Sequence, residues 1–400
     1  MKTFLIDTDK KSLLPLTFSR PTCDLLVGID TIREKWQSLL GNKCLQLSSS
    51  YLSESAVFDQ ENLFIHGGCI PSDELIKAIN TLGESEILTY QEKFLAARVS
   101  SEGAIAIHSK IENLETISPT DFKKEEVHFS GDLILIERPS DIFAFNGEVL
   151  KSDFSRITKN NVTTTFANDI STKGDQIFIE EGAQLSNCVL NASGGPIYIG
   201  KNAEVMEGAL IRGPFSLGEH STVKMGAKIY GDTSIGKHCK VGGEIGNSVI
   251  NDYSNKGHDG YLGNSVIGSW CNLGADTNTS NLMNTYGEVK VWDYSKEAIS
   301  PTGRQFHGLI MGDHSKCGIN TMFNTGTVVG MCANIFGGGF PDKFVPSFSW
   351  GTPESGFSEF RLEKAIKTAK AMMSRRGIEF GQADKNVFDF VQEYDRKYRK

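Results

Sequence analysis

The pattern of hydrophobic and polar residues changes near residue 150. Before that point, short apolar runs at residues 3–6, 63–66, 86–89 and 132–136 have the length and composition of strands. Residues 31–40 and 73–81 have the spacing of amphipathic helices, and Ser72 or Asp73 is a suitable N-cap for the second. Strands that alternate with helices predict an α/β layer with some parallel pairing.

From about residue 175 to residue 340, a six-residue period replaces the helical pattern. Its aliphatic position recurs without a break at Ile199, Val205, Ile211, Leu217, Val223, Ile229, Ile235 and Val241. Glycine often follows this position, and a small side chain stands four residues after it in most repeats. Similar series run through Met311, Cys317, Phe323, Val329 and Ile335, and through Tyr261, Ile267, Leu273 and Thr279.

Each repeat supplies one short extended segment and one corner. The aliphatic residue points inward, the small residue permits a tight corner, and glycine adopts backbone angles that are costly for other residues. Three repeats close a triangular coil, and stacked coils bury a continuous aliphatic column. The period therefore predicts a β-helix, because the alternative of a β-sandwich would need the strict register to be a coincidence.

This period resembles that of the hexapeptide-repeat proteins. The resemblance implies a left-handed parallel β-helix, against the right-handed preference of ordinary parallel crossovers. It also implies a homotrimer with active sites between adjacent subunits.

After Pro353 the chain predicts two helices, broken around residues 377–381. The first carries Phe360, Ile366 and Met373 near one face, and Lys364, Lys367 and Lys370 on another. That basic side is either a solvated face or a set of cations for the phosphates of coenzyme A.

Composition narrows the class of protein. The 400 residues suffice for two domains of about 100–200 residues each. The chain is 22% charged and 39% hydrophobic, and its apolar runs fall far short of the ~20 residues that cross a bilayer. The N-terminus has no signal-peptide pattern, and the eight cysteines form no CxxC pair, which is typical of core thiols in a reducing compartment. With a net charge of −8, we expect a cytoplasmic protein that binds neither nucleic acid nor membrane.

Residues 256–282, KGHDGYLGNSVIGSWCNLGADTNTSNL, separate two of the repeat series. They resemble the acetyltransferase half of the GlmU-type enzymes, which acetylate glucosamine-1-phosphate and then uridylylate the product. The family pattern H-x-x-Y-x-G-D, I-G, N-I-G-A-G-T and N-Y-D-G matches at His258, Tyr261, Gly263, Ile267, Gly268, Asn272, Leu273, Gly274, Ala275, Thr277 and Asn281. Glycines and aliphatic residues recur in any hexapeptide protein, so the spacing of the His, Tyr and two Asn residues is the specific part.

The resemblance implies that His258 is the general base. An imidazole with a pKa near ~6.5 can take the proton of an attacking amine at physiological pH. Tyr261, Asn272 and Asn281 would hold the hydroxyls or the phosphate of a sugar. Ala275 would lie beside the thioester of acetyl-coenzyme A, where a backbone N–H could stabilise the oxyanion. The alternative is that His258 is an ordinary polar loop residue.

The chain also departs from that family. Lys224 aligns with a phosphate-binding arginine, whereas a second family cation falls on Gly242 or Gly243 and is missing. Residues 285–305 are inserted before the repeat resumes, and Lys290 or Arg304 from this insert could replace the lost cation. These differences concern the sugar more than acyl transfer itself.

A zinc site is a further alternative, because some hexapeptide proteins bind zinc through three histidines. His220 and His238 lie eighteen residues apart, one coil of the β-helix, and could stack at one corner. The position one coil further is Lys256, so solvated corner residues are the better interpretation.

The first 155 residues lack the L-A-A-G-x-G-T-R-M loop of a GlmU-type nucleotidyltransferase domain. They nevertheless resemble a divergent bacterial group that pairs an L-P-L-T-x-x-R-P segment, here LPLTFSRP at residues 14–21, with a hexapeptide β-helix. The resemblance implies a Rossmann-like domain that uses Mg²⁺ and UTP. Candidate nucleotide-binding residues are Arg20, Lys35 and Asn146, and candidate metal ligands are Asp24 and Asp153. A salt bridge or a cap is the alternative role of each.

The sequence therefore predicts three parts: an α/β Rossmann-like nucleotidyltransferase domain at 1–155, an all-β left-handed β-helix acyltransferase at 156–350, and a helical tail at 351–400. We expect a GlmU-type enzyme of UDP-N-acetylglucosamine synthesis that acts on a sugar phosphate, acetyl-CoA and a nucleotide. Two alternatives stay open: an acyltransferase with a non-catalytic N-terminal binding domain, and a non-catalytic scaffold.

Overall fold

The computed structural model describes residues 1–52, 56–159, 161, 163 and 169–399. Contacts divide the chain into two compact units. The first unit comprises Met1–Leu25 and Asp30–Arg138, and the second comprises Leu26–Ile29 and Pro139–Lys400. The domain boundary predicted at residue 155 follows composition and falls inside the helix Pro139–Thr158, which belongs by its contacts to the second unit.

The first unit is a Rossmann-like α/β layer. Its six-stranded sheet has the order β2-β1-β3-β5-β4-β6. The strands are β1 (Lys2–Ile6), β2 (Cys44–Leu47), β3 (Glu61–His66), β4 (Glu86–Tyr90), β5 (Lys93–Ser100) and β6 (Glu125–His128). The helices of this unit are α1 (Ile32–Leu40), α2 (Asp73–Thr81) and α3 (Ser101–Glu112).

Parallel pairing is confined to parts of this sheet. β1 pairs in parallel with β2 and with β3, and β4 does so with β6, whereas β5 is antiparallel to β3 and β4. The strand predicted at residues 132–136 is wrong, because only Leu135 forms an isolated bridge, with Cys69. The backbone of this segment forms hydrogen bonds with the loop at residues 68–70, which is too short to form a β-ladder.

Both predicted helices form, and their caps explain their bounds. Thr31 caps α1 in a capping box with Glu34, and Gly41 ends that helix at a φ of 67°. Ser72 caps α2 by accepting a hydrogen bond from the N–H of Leu75. The core of the unit packs phenylalanines of the sheet against α3 and includes Phe4, Phe64, Phe94, Ile107 and Ile111.

The second unit contains the predicted β-helix, whose short strands stack into three parallel sheets. Face 1 consists of Ser171–Lys173, Val189–Asn191, Leu210–Arg212, Lys228–Ile229, Glu244–Gly246 and Tyr261–Gly263. Face 2 consists of Ile177–Ile179, Ile197–Ile199, Phe215–Leu217, Thr233–Ile235, Val249–Ile250, Val266–Ile267, Ile310–Met311, Val328–Val329 and Phe344–Val345. Face 3 consists of Gln184–Leu185, Glu204–Val205, Thr222–Val223, Lys240–Val241, Asn255–Lys256, Asn272–Leu273, Lys316–Cys317, Asn334–Ile335, Ser349–Thr352 and an antiparallel Gly356–Glu359.

The aliphatic positions of the repeat fill the inside of the coils, as predicted. The eight residues from Ile199 to Val241 are at most 2% exposed. The third series is wrong at its first member, because Tyr261 points outward and Leu262 takes the inward place. The coil that precedes Leu262 is shorter than eighteen residues, so the period slips there by one.

Helix α4 (Pro139–Thr158) packs on face 2 together with the segment Leu26–Ile29. After the β-helix come α5 (Leu362–Ser374) and α6 (Gln382–Tyr394), which confirms the predicted tail.

The insert at 285–305 contains a hairpin, Lys290–Asp293 with Ala298–Pro301, that lies against the end of the tail. The Tyr294 hydroxyl donates to Asp395 at 3.0 Å, and Asp395 also accepts from the Ser347 N–H at 2.8 Å.

Candidate functional site

A cavity of about 860 Å³ lies in the second unit, along face 3 and the corner that follows it. Faces 3 and 1 are joined at this corner in each coil, and residues 257–260 form it in the coil that carries His258. The cavity is lined by Lys224, Lys240, Tyr253, Asn255, Gly257, His258, Trp270, Asn272, Leu273, Gly274, Ala275, Lys316, Ile319, Ala371, Met372, Arg375 and Arg376.

His258 is exposed to the cavity. Its backbone and that of the next residue are held by the buried side chain of Lys256. The Lys256 ammonium donates to the carbonyl of His258 at 2.5 Å and to that of Asp259 at 3.1 Å. Lys256 occupies the inward place of its strand, paired with Val241, and is 2% exposed. Burial lowers its pKa to about 8, against the smaller effect of Asp259. The corner that presents His258 is thus held by a lysine in an otherwise aliphatic column.

The cavity is strongly cationic. Its cations are Lys224, Lys240, Lys316, Arg375 and Arg376, and no Asp or Glu is among the described residues that line it. Lys316 donates to the carbonyl of His314 at 2.8 Å, and burial lowers its pKa. Such a concentration of positive charge on a chain of net charge −8 favours a polyanionic ligand.

A column of stacked rings runs beside the cavity. It contains, in order, His220, His238, Tyr253, Trp270 and His314, with neighbouring ring centroids 4.1 to 6.1 Å apart. All five residues have φ between 56° and 62°, so each occupies the same left-handed corner of successive coils. Tyr253 and Trp270, the closest pair, both line the cavity.

The two histidines predicted to share a corner therefore do so, with centroids 4.9 Å apart. Burial, with His220 and Arg376 nearby, lowers the pKa of His238. No group of three or more His, Cys, Asp or Glu residues that could hold a metal ion occurs in the part of the chain that the structure describes. The stack forms an aromatic surface at this corner.

The structure brings together four of the six residues predicted for the acyltransferase site. His258, Lys224, Asn272 and Ala275 line the one cavity.

Tyr261 and Asn281 are not among the lining residues. The Asn281 amide donates to the Tyr261 hydroxyl at 3.0 Å and to Asn264 at 2.7 Å, at the end of face 1. A Cβ on Gly263 would lie 2.2 Å from that hydroxyl, so only glycine lets the Tyr261 ring lie there.

Several cavity residues were missed from the sequence. Lys240 and Lys316 each precede an inward residue of face 3, as Asn272 does. Their position in the repeat could therefore have been used to predict that they line the cavity. The tail supplies Arg375 and Arg376 rather than the three lysines considered above. Of the insert cations, Arg304 instead pairs with Asp141 at 3.0 Å.

The predicted nucleotide and metal residues of the first unit lie in structural contacts. Asp24 pairs with Arg33 at 2.7 Å, and burial raises its pKa against the effects of Arg33 and Arg20. Lys35 is buried and donates to the carbonyl of Asp30 at 2.6 Å.

Asn146 and Asp153 hold a segment of the second unit in place. Fully buried, Asn146 accepts from the N–H of Gly28 at 2.8 Å and donates to the carbonyl of Asp232 at 2.9 Å. Asp153 accepts from the N–H of Ile29 at 2.9 Å and pairs with Arg156 at 2.9 Å. These contacts favour structural roles for both residues.

The donor set does not fit a Mg²⁺ site at the predicted ligands. Asp24 pairs with Arg33 and Asp153 pairs with Arg156, so each predicted metal ligand already contacts a cation.

A second cavity, of about 220 Å³, lies in the first unit at the carboxyl ends of β1 and β3. Its lining is mostly polar: Thr8, Asp9, Ser12, Leu13, Thr22, His66, Lys93, Ile136, Glu137 and Arg138. Ligands of open α/β sheets bind at this edge.

The loop after β1 is fixed by a buried ion pair. The Lys10 ammonium lies 3.5 Å from Asp7, and both side chains are 3% exposed. Asp7 also accepts from Ser48 and, at 2.7 Å, from the N–H of Thr22. Burial lowers the pKa of Lys10 to about 8. This network gives the loop a fixed shape although it contains no glycine-rich motif.

Comparison with known proteins finds a family model that matches the first part of the chain. Residues 4–162 match the family model described as sugar nucleotidyl transferase, so this part is nucleotidyltransferase-like. No curated protein matches the sequence.

Two solved structures are similar to about half of the chain. An Arabidopsis UDP-N-acetylglucosamine acyltransferase is 17% identical, with 53% of this chain and 80% of that chain covered and a TM-score of 0.25. The polySia-specific acetyltransferase NeuO is 15% identical, with 53% and 99% covered and a TM-score of 0.29. Both are too distant to indicate a function.

No helix in the described residues combines the length and the apolar character needed to span a membrane. All eight cysteines are buried free thiols, as expected of core residues.

Proposed function

We propose that the second unit transfers an acetyl group from acetyl-coenzyme A to the amine of glucosamine-1-phosphate or a related amino-sugar phosphate. The observation that carries this proposal is the cationic cavity beside His258, with five lysine or arginine side chains and no lining carboxylate among the described residues. Coenzyme A carries three phosphates and an adenine, and its thioester lies at the far end of a long arm.

The size and the lining of the cavity suit such a ligand. Its volume of about 860 Å³ falls in the usual range for cofactor sites, roughly 300–1,000 Å³. Arg375 and Arg376 provide planar donors for phosphate, while Trp270 and Tyr253 provide ring faces for a base. His258 lines the same cavity, and the acyl end of the ligand would react beside it.

The proposed chemistry is direct transfer. The amine of the sugar attacks the carbonyl carbon of the thioester, and His258 takes the proton that the amine loses. Backbone N–H groups near Ala275 stabilise the oxyanion of the tetrahedral intermediate. The C–N bond is formed in this attack, and collapse of the intermediate breaks the C–S bond. His258 then returns its proton to the leaving thiolate of coenzyme A.

The sugar would bind on the face 1 side of the His258 corner. Tyr261 and Asn281 are joined there in a network with Asn264, which offers hydroxyl and amide groups to a polar ligand. The trimer stays a proposal based on the family resemblance.

For the first unit we propose nucleotidyl transfer to the sugar 1-phosphate, with UTP as the nucleotide. A Mg²⁺ ion for this reaction would be held by groups other than Asp24 and Asp153, whose arginine partners do not suit it. The match of residues 4–162 to the sugar nucleotidyl transferase family supports this activity. An acyltransferase whose first unit only binds ligand is the competing proposal.

Acetyl transfer is tested by thiol release from acetyl-coenzyme A in the presence of glucosamine-1-phosphate. His258→Ala should lower the rate by roughly 10²–10⁴-fold. His128→Ala, which removes an exposed histidine of β6, is the matched control and should keep the wild-type rate. Equal rates in the His258 variant and the wild type would refute its role as base, and no release by the wild type with any amino-sugar phosphate would refute the activity.

Nucleotidyl transfer is tested separately by pyrophosphate release from UTP with N-acetylglucosamine-1-phosphate, with and without Mg²⁺. Release that needs both substrates and the metal would support the proposal. Thiol release without any pyrophosphate release would favour the competing proposal, in which the first unit only binds a ligand.

A further inference from the structure

Face 1 carries an exposed tyrosine ring close to the polar network of Tyr261. Tyr230 directly follows the strand Lys228–Ile229 and is 49% exposed, whereas Ile229 points inward and is 2% exposed. A Cβ on Gly246, one coil further, would lie 3.2 Å from the Cβ of Tyr230 and 3.8 Å from its Cγ and Cδ2. The ring therefore lies over a glycine of the next coil, and about half of the side chain stays open to solvent.

Strand pairing brings this ring into line with the network. The N–H of Tyr230 donates to the carbonyl of Ile245 at 2.8 Å, and the next residue, Gly246, pairs with Gly263. Gly263 ends the strand that begins at Tyr261, two residues or ~7 Å earlier. Tyr230 and Tyr261 thus flank a short stretch of face 1 whose outward positions at Gly246 and Gly263 carry no side chain.

The hydroxyl of Tyr261 belongs to the polar side of this stretch. It accepts from the Asn281 amide at 3.0 Å, and the same amide donates to Asn264 at 2.7 Å. Burial raises the pKa of Tyr261, and Glu244 and Tyr230 add to the rise, so the two phenol groups are close in space. An exposed ring beside hydroxyl and amide groups suits a sugar, whose C–H face packs on an aromatic ring while its hydroxyls form hydrogen bonds.

The corner between faces 3 and 1 is short in the coil that separates Tyr230 from His258. This corner has two residues, Gly242 and Gly243, whereas the corners of the coils on either side have four residues each. A Cβ on Gly243 would lie 2.8 Å from the carbonyl oxygen of His258, so the short corner recedes directly beside the proposed base. A ligand on face 1 can therefore reach the corner of His258 without meeting a side chain of the short corner.

We propose that Tyr230 binds the acceptor of acetyl transfer and orients it. The sugar ring packs on Tyr230, its hydroxyls bond to Tyr261 and Asn281, and its amine faces His258. This inference rests on the proposed acetyl transfer and deepens it, because it adds the residue that fixes the plane of the sugar. Tyr230 is not among the residues that line the cavity of face 3, so the coenzyme A site does not depend on it.

Binding of glucosamine-1-phosphate to the full chain is measured by isothermal titration calorimetry. Tyr230→Ala should weaken binding by roughly tenfold, because the apolar contact with the sugar is lost. The KM for glucosamine-1-phosphate should rise by the same factor, while the KM for acetyl-coenzyme A stays constant. Tyr230→Phe retains the ring and should bind as the wild type does. Tyr286→Ala, which removes an exposed tyrosine of the insert, is the matched control and should change neither quantity.

Unchanged binding in Tyr230→Ala would overturn the inference, as would no binding to the wild type. Binding in Tyr230→Phe as weak as in Tyr230→Ala would also overturn it, because the hydroxyl rather than the ring would then make the contact. The first unit is identical in all variants, so only the component of binding that changes is attributed to Tyr230. If Tyr230→Ala has a lowered urea midpoint, Tyr230→Leu decides, since it keeps an apolar side chain over Gly246 but removes the flat ring.

Failure of the proposed activity gives a different result. A wild type that binds glucosamine-1-phosphate through Tyr230 but releases no thiol keeps the sugar site and loses acetyl transfer. Thiol release with a KM for the acceptor that is the same in Tyr230→Ala and the wild type keeps acetyl transfer and overturns the role of Tyr230.

Discussion

Replacing Lys256 should change the stability and the activity of the protein in ways that can be measured separately. Its ammonium lies inside the aliphatic column of face 3 and donates to the carbonyls of His258 and Asp259. Lys256→Met keeps the length of the side chain, restores an apolar inward residue and removes both donors. We expect the variant to lose activity. Its free energy of unfolding should also lack the pH-dependent contribution that Lys256 makes in the wild type.

The size of that component follows from the pKa of Lys256. Folding lowers it from 10.5 to about 8, and at about 1.4 kcal/mol for each pH unit the charged lysine costs roughly 3 kcal/mol at neutral pH. Because the folded pKa lies below the unfolded one, the unfolded chain binds more protons between pH 8 and 10.5, so stability rises with pH in that window. Between pH 7 and 9.5 the wild type should gain about 2 kcal/mol relative to Lys256→Met.

The assay is urea denaturation of the full chain at pH 7 and at pH 9.5, followed by tryptophan fluorescence. Other titrating groups are common to both proteins and cancel in the difference between wild type and variant. Lys228→Met, on an exposed lysine of face 1, should show no such difference. The reasoning is refuted if the wild type and Lys256→Met change equally between the two pH values.

Activity gives the second half of this test. Without its two hydrogen bonds, the corner that presents His258 should hold the imidazole less firmly, which lowers kcat for thiol release and leaves the KM for acetyl-coenzyme A nearly unchanged. A variant with the wild-type kcat would show that the lysine does not position the base.

The remaining predictions concern the other cations, one histidine and one amide. Arg375→Gln with Arg376→Gln should raise the KM for acetyl-coenzyme A by tenfold or more, and the salt dependence of that KM should weaken; an unchanged KM would exclude the tail from the site. The ring of His66 should show no titration between pH 5.5 and 8 by NMR, because burial lowers its pKa to about 4; a midpoint near 6.5 would contradict the burial of this ring. Asn146→Ala should destabilise the second unit by about 1–3 kcal/mol, since buried groups at Gly28 and Asp232 lose their partner, while nucleotide affinity stays constant; a selective loss of affinity in urea-stable protein would restore its predicted role.

The β-helix could be predicted from the sequence because its period is set by sterics that every coil repeats. The inward aliphatic residues from Ile199 to Val241 are buried as the spacing requires. The prediction slipped at Tyr261 because one short coil shifts the register, and a single sequence gives no sign of such a slip. The cavity beside His258 was partly predictable for the same reason: His258, Asn272 and Ala275 fall on adjacent coils, and distance along the chain converts into distance in space.

The first unit was harder, because its site depends on contacts between distant segments. Asp24 and Asp153 have the chemistry of metal ligands, yet each is engaged by an arginine. Conversely, His66 and Thr8 lie 58 positions apart and become neighbours only through the pairing of β1 with β3. No local pattern in the sequence predicts that contact, although the carboxyl edge of the sheet was the place to look.

The hairpin of the insert connects a peripheral loop to the C-terminal tail. Ile267 pairs directly with Met311, so the stacking of the β-helix continues across the insert. The insert therefore does not interrupt the column of inward residues. The Tyr294 hydroxyl of the insert nevertheless donates a hydrogen bond to Asp395, at the end of the tail that carries Arg375 and Arg376. A deletion that leaves every coil intact would thus remove one of the two hydrogen bonds that fix Asp395, while the bond from the Ser347 N–H stays. A change in this peripheral loop therefore alters how firmly the tail is held without changing a residue that lines the cavity.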